Sequence, residues 1–239
     1  THLISATRGE YGWTGAPDDF PGPQALGRIR EAELLAAADV LGLRSVEFLD
    51  TIDGMLDQAD PARVIASIAG HIRRLRPQIV LTFDPSGIYG HPDHIAISQF
   101  TTAAVVQAAD SDFVSEAPPH RVHKLYYRAW NTTESQAFET AFGEMVMRID
   151  GVDRHTTVWP EWSITTRLDT AAYTNQVWRA VECHRSQLPG LERLLALPQD
   201  ARRDIFSTQT FYRALSFVNG GREVEQDLFA GISLPVSLP

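Results

Sequence analysis

Ile79-Val80-Leu81-Thr82-Phe83-Asp84-Pro85-Ser86-Gly87-Ile88-Tyr89-Gly90-His91-Pro92-Asp93-His94 is the stretch that decides how this chain folds. Its first five residues are β-branched, aliphatic or aromatic, which predicts a buried parallel strand. Its last four open a helix. Pro92 suits the first helical position, so His91 falls near the N-cap and His94 one turn later. A strand running through a Gly-containing loop into a helix is half of a βαβ unit, and open α/β sheets bind ligands at that end.

Working towards the N-terminus, the same alternation repeats. Residues 2–7 read as a short strand, and Arg8 to Pro23 is loop chemistry rich in Gly and Pro. Leu26, Ile29, Leu34, Leu35, Ala38 and Leu41 recur at helical spacing, and Gly42 sits where a C-terminal cap belongs. Val46 to Leu49 predicts a second strand, and Asp60-Pro61 starts a helix that Pro77 stops. Strand–helix alternation of this kind predicts a doubly wound, Rossmann-like parallel sheet with helices on both faces. Beyond the helix from Pro92 to about Ala109 the pattern loosens. Strands are expected over His123 to Trp130 and Ile164 to Leu168, a helix over Ala171 to Gln187, and mixed structure over Ile205 to Val218. Without repeats or low-complexity linkers, residues 1–239 are expected to form one domain.

Composition narrows the function classes. The 239 residues are 44% hydrophobic and 21% charged, ordinary for a globular protein. A formal charge of −9 with no Lys/Arg-rich stripe argues against nucleic acid as a partner. No apolar run reaches the roughly 18 residues of a spanning helix. The lone Cys183 excludes a disulfide framework and fits a reducing, cytoplasmic setting. A homo-oligomer is compatible with the sequence. No Gly-x-Gly-x-x-Gly follows a strand, which disfavours a dinucleotide oxidoreductase.

The loop after Phe83 holds two histidines, two aspartates and a tyrosine within twelve residues, a composition suited to metal binding or acid–base work. Asp93 at the positive helix end is stabilised as a carboxylate, and the same dipole keeps His94 neutral and able to ligate a metal. His-x-x-His spacing alone is weak support for a metal site; its position after a buried strand strengthens it.

The Tyr89-Gly90-His91-Pro92-Asp93-His94 signature resembles that of the PIG-L/LmbE-like zinc-dependent N-deacetylases. Other ordered matches are Thr7-Arg8-Gly9-Glu10, Gly12, Arg30 with Glu33, Phe48-Leu49-Asp50 with Asp53-Gly54, His184-Arg185-Ser186-Gln187, and Asp227-Leu228-Phe229 with Gly231. The resemblance implies a hydrolase that removes the N-acetyl group from an N-acetylglucosamine-type, amino-sugar conjugate. It implies one Zn2+, which lowers the pKa of a bound water to about 7, with His94 as a ligand. His91 would stabilise the oxyanion as a cation or protonate the leaving amine, Asp93 would orient it, and Tyr89 would lie beside the carbonyl oxygen. Arg30, Asp53 and Arg8 would hold the sugar. Two readings remain for Arg30, ligand contact or pairing with Glu33 one turn on, and two for Asp53-Gly54, ligand contact or a turn. His184 reads as a helix-end residue outside the site.

The family's first motif, His-Pro-Asp-Asp-Glu at the end of a strand, is not in this sequence. In the family its His and second Asp complete the zinc site, and its first Asp acts as general base. Ala16-Pro17-Asp18-Asp19 imitates it with Ala in place of the ligand His and is set aside as a decoy. The first sheet strand is therefore expected to be missing and the chain to be truncated at its N-terminus, the missing motif supplying the remaining ligands. The rival expectation is a non-catalytic sugar-binding protein of the same fold.

Overall fold

A computed structural model describes residues 1–144, 146–149 and 151–233. The elements run β1 (His2–Ser5), α1 (Pro23–Leu41), β2 (Ser45–Phe48), α2 (Pro61–Leu75), β3 (Ile79–Phe83), a short kinked α3 (Gly87–Gly90) and α4 (Pro92–Ala109). There follow β4 (Lys124–Arg128), α5 (Thr132–Phe142), β5 (Val146–Ile149), β6 (Val152–His155), β7 (Thr166–Asp169), α6 (Thr174–Cys183), α7 (Glu192–Leu195), α8 (Gln199–Ile205) and β8 (Thr208–Ser216). The single-domain reading spans 1–239, of which 145, 150 and 234–239 lie outside the described residues.

The first half follows its local signals. Gly42 caps α1 in the left-handed region at φ 69°, as a residue without Cβ can at little cost. Asp60 caps α2, its carboxylate accepting from Ala62 N, with Pro61 beginning the helix. β1 pairs parallel with β2, and β3 parallel with β4. This is an α/β architecture containing parallel pairs, as the alternation predicts.

The strands nevertheless divide differently from one continuous parallel sheet. β1-β2 is a separate two-stranded sheet, and the larger sheet has the order β3-β4-β8-β7. β8 joins both β4 and β7 antiparallel. Among the described residues β1 and β3 each pair on one side only, and Leu81 in mid-β3 is 47% exposed. The expectation of a fully buried β3 is thus corrected: with one neighbour, the strand cannot be covered along both edges.

The second half also departs from the pattern. The helix expected over Ala171 to Gln187 splits into a 3-10 turn, α6, and a further 3-10 stretch over Arg185–Leu191. The buried Glu33 accepts from both the amide and the hydroxyl of Ser186 at 2.7 Å, drawing that backbone out of helical register. Residues 205–218 are the end of α8 and the strand β8. The α5 helix was not expected, although Asn131 caps it by accepting from Glu134 N, a signal visible in Asn-x-x-Glu spacing.

The core that carries the site is α2 against α4. Val64, Ile68, Ala69 and Ile72 meet Ala96, Phe100, Ala104, Val105 and Ala108, with Leu49, Leu56, Val122 and Leu125 beneath. Alanines on α4 let the helices approach closely. Arg73 closes the far end of α4, donating to the carbonyls of Ala108, Phe113, Ala117 and Asp110, a favourable place for a cation.

Lys124, the chain's one lysine, is fully buried and pairs with Glu225 at 2.7 Å. Glu225 also takes Tyr126, Thr166, Asn219 and Arg213. Burial pushes its pKa up, but hydrogen bonds from Lys124, Tyr126, Asn219 and Thr166 outweigh that and hold it down to about 2. Glu225→Ala should lower unfolding free energy in urea by about 3–5 kcal/mol, because it strands two buried cations. Lys124→Met, which leaves Glu225 with Arg213, should cost less than half as much.

Candidate active site

The parallel strands deliver their C-terminal ends to one edge. β1 leads into Thr7, Arg8 and Gly9, β2 into Asp50 to Gly54, and β3 into Asp84 and the loop before α4. Asp84 is 1% exposed and organises that loop. It accepts from Ile88 N at 2.7 Å, from the Ser86 hydroxyl and from Trp159 Nε1 at 2.7 Å. Gly87 at φ 66° is needed for close approach: a Cβ there would lie 2.8 Å from the His94 Cβ and 2.9 Å from Ile95 N. Ile88 adopts φ 68°, ψ −58°, a costly conformation for a β-branched residue.

This loop stacks three rings on one another. His94 lies flat on Phe83, centroids 4.1 Å apart at 7°. His91 is 4.8 Å from His94, and Tyr89 meets both edge-on, at 6.3 Å and 5.2 Å. The two imidazoles sit in complementary hydrogen-bond settings. His91 caps α4, its Nδ1 accepting from Asp93 N at 3.1 Å, so its proton is carried on Nε2. His94 Nδ1 faces the Gly87 carbonyl at 3.3 Å and donates to it, so its Nε2 carries the lone pair. One ring is a donor and its neighbour an acceptor. For His91 to become a cation it must give up its capping bond.

Burial, then the adjacent His91, hold the His94 pKa down to about 4, against the opposing pulls of the Gly87 carbonyl and Asp53. Burial, then Asp53, push the Tyr89 phenol up, so it stays a protonated donor.

Asp93 is 6% exposed, and its carboxylate accepts from Gly54 N at 2.7 Å and Leu56 N at 3.0 Å. It ties the loop bearing Asp53 to the start of α4. Asp53 in turn accepts from the Thr7 hydroxyl at 3.4 Å and Tyr11 N at 3.2 Å. Arg30 does not pair with Glu33; its guanidinium donates to the Gly9 carbonyl at 2.7 Å and fills the space a Cβ at Gly9 or Gly12 would occupy. Arg8 is ion-paired with Glu31 and Asp50 and lies over Phe48. It lines an open cavity of about 440 Å3 with Glu10, Tyr11, Gln24, Arg28 and Ile52. His184 is half-buried, with its pKa lowered by burial, and Glu33 and Arg30 act on it electrostatically. The decoy Ala16 to Asp19 is an exposed 3-10 turn.

Sequence reasoning gave no individual role to Asp84 or Arg154 and did not connect Trp159 with this loop. Arg154 lies on Gly90 and donates to its carbonyl at 3.1 Å. Asp84 has a visible signal, its place immediately after the strand. Trp159 and Arg154 have none, because they arrive from a distant segment.

His94 Nε2 suits a metal, but a structural or catalytic zinc takes at least three protein ligands. Among the described residues no group of three or more His, Cys, Asp or Glu side chains is placed to hold one. The described donor set therefore does not by itself fit a zinc ion.

A family model for GlcNAc-PI de-N-acetylases (PIG-L) matches residues 1–105. A 1D-myo-inositol 2-acetamido-2-deoxy-alpha-D-glucopyranoside deacetylase of Rhodococcus jostii is 31% identical, over 97% of this chain and 88% of the relative. One from Streptomyces griseus is also 31% identical, over 96% and 79%. The chain belongs to the PIG-L (LmbE-like) de-N-acetylase family. Among solved structures, the N,N'-diacetylchitobiose deacetylase of Pyrococcus horikoshii shares the fold (TM-score 0.60, 16% identity, 89% of this chain and 72% of that one). So does the 4-carboxy-2-hydroxymuconate hydratase of Pseudomonas putida (TM-score 0.63, 19% identity, 92% and 86%).

The low pKa of His94 makes stability depend on pH. Unfolded, the ring takes up its proton near pH 6.5; folded, it does so only near 4. Its contribution is intact above pH 6.5 and is lost progressively as pH falls towards 4. Melting followed by circular dichroism from pH 7 to 4.5 should show a smaller acid-induced drop in Tm for His94→Gln than for the unsubstituted protein.

Proposed function

We propose that the protein is an amide hydrolase that removes the N-acetyl group from an N-acetylglucosamine-type conjugate, releasing acetate and a free amine. The observation that carries this reading is the His91–His94 pair, one ring a donor and the other an acceptor, with a protonated Tyr89 beside both. An amide carbonyl that gains a negative oxygen needs fixed donors aimed at it. His91 Nε2–H and the Tyr89 hydroxyl are such donors. Water adds its oxygen to the acetyl carbon, the C–N bond breaks, and the two hydrogens of that water end on the departing amine. Asp93 holds the Asp53 loop in place; Arg8, which lines the open cavity, is assigned to the sugar in this reading, together with Asp53 and Arg30. The relatives named above as deacetylases of an inositol glucosaminide support a small glycoside as substrate.

The proposal extends to one Zn2+ with His94 Nε2 among its ligands; metal analysis of the protein decides that part. A cytoplasmic setting belongs to the same reading and is supported by the free, half-buried Cys183. No helix among the described residues is long and apolar enough to cross a membrane. A second reading, a sugar-binding protein without catalysis, is favoured by one observation: the described residues do not close a metal site.

Acetate release from N-acetylglucosaminyl-inositol and from N,N'-diacetylchitobiose, measured with zinc content, separates the two readings. The hydrolase reading expects turnover and about one zinc per chain, lost in His94→Ala. It expects His91→Ala to keep the metal and lower kcat by roughly 10²-fold. Sugar binding without acetate release and without zinc would establish the second reading instead.

A further inference from the structure

Ile88 is the residue whose conformation sets the ring cluster. Its φ of 68° and ψ of −58° turn the chain sharply between β3 and His91, and Tyr89 follows directly. A β-branched residue does not rest there unless its surroundings hold it. Three contacts do so. The Ile88 amide donates to Asp84 Oδ1 at 2.7 Å, its carbonyl accepts from Thr157 N at 2.7 Å, and its side chain is buried. Asp84 is itself fixed from outside the loop, since Trp159 Nε1 donates to its second oxygen at 2.7 Å. Trp159 is anchored independently: its amide donates to the Trp130 carbonyl at 2.8 Å, and its ring packs on Tyr212 at 4.9 Å.

We propose that Trp159 and Asp84 form a positioning latch that holds the strained Ile88 turn, and through it Tyr89 and His91, in register with the substrate carbonyl. The inference rests on the reading of that loop as catalytic. Neither residue touches the reacting atoms; Asp84 is enclosed behind the loop, and Trp159 reaches it from the segment after β6. The segment has a reason to be there. Arg154 and Thr157 also clamp the loop, at the carbonyls of Gly90 and Ile88, so three bonds from residues 154–159 converge on residues 84–90. Displacing catalytic donors by even about 1 Å costs up to roughly 10²-fold in rate.

Two substitutions isolate the latch. Trp159→Phe keeps an aromatic ring against Tyr212 but removes the indole N–H, together with part of the ring area. Asp84→Asn keeps an acceptor for Ile88 N but presents its amide donor to the Trp159 N–H. Amide hydrogen exchange, read by mass spectrometry on peptides covering residues 84–90 and on α2 as reference, should quicken about fivefold or more at 84–90 in each variant, consistent with one lost hydrogen bond. It should stay unchanged in α2. Because both act on one bond, the double variant should exchange no faster than the faster single one. In the deacetylase assay each variant should lose about tenfold or more in kcat with KM within twofold. Exchange at 84–90 that does not change, that quickens equally in α2, or that adds fully in the double variant overturns the latch. So does local quickening with an undiminished kcat. If the unsubstituted protein releases no acetate, the proposed function fails separately, and the exchange pattern alone decides whether the latch exists.

Discussion

The Asp93 carboxylate, buried at the N-terminus of α4, accepts the amides of Gly54 and Leu56. The organisation of the strand ends depends on this contact. A carboxylate at a helix N-terminus is favoured by the dipole and compensated by charge-assisted hydrogen bonds, so it tolerates burial. It fastens the loop after β2 to the helix after β3, and Asp53 on that loop reaches Thr7 and Tyr11 beyond β1. β1-β2 and β3-β4 belong to separate sheets. Asp93 therefore links, through side-chain chemistry, edges that no backbone ladder joins.

A second set of polar contacts shapes the other wall. Arg30 reaches up from α1 to the Gly9 carbonyl, and Gly9 and Gly12 leave room for its guanidinium. Glu33, one turn along, captures Ser186, while Gln187 donates to the Gly12 carbonyl. The loop over residues 9–15 is thereby held between α1 and the stretch after α6. The His184 to Gln187 run, ambiguous as sequence, has this structural task.

The fold does not choose the reaction. A hydratase and a deacetylase share it with this chain at low identity, as expected where an α/β scaffold presents variable loops at its strand ends. What this chain places at its strand ends is local: a proline-started helix carrying His91 at its cap and His94 a turn later, with the two rings set by different backbone groups. The backbone groups that the two rings face make one imidazole a donor and the other an acceptor.

The features legible in the sequence are those governed by contacts within a few residues. Caps at Gly42 and Asp60, the strand before Asp84, and the His91-Pro92-Asp93-His94 helix start all follow from local backbone chemistry, and the family is legible in the same signature. The separation of β1-β2 from the larger sheet, the antiparallel return of β8, the break of the expected last long helix at His184, and the arrival of Trp159 at Asp84 were decided only in three dimensions. Each joins residues tens of positions apart, where no spacing rule operates. By itself the sequence determined which chemical groups stand at the end of β3. Tertiary structure decided what holds them, because a buried carboxylate such as Asp84 or Asp93 takes whichever donors the fold brings within reach.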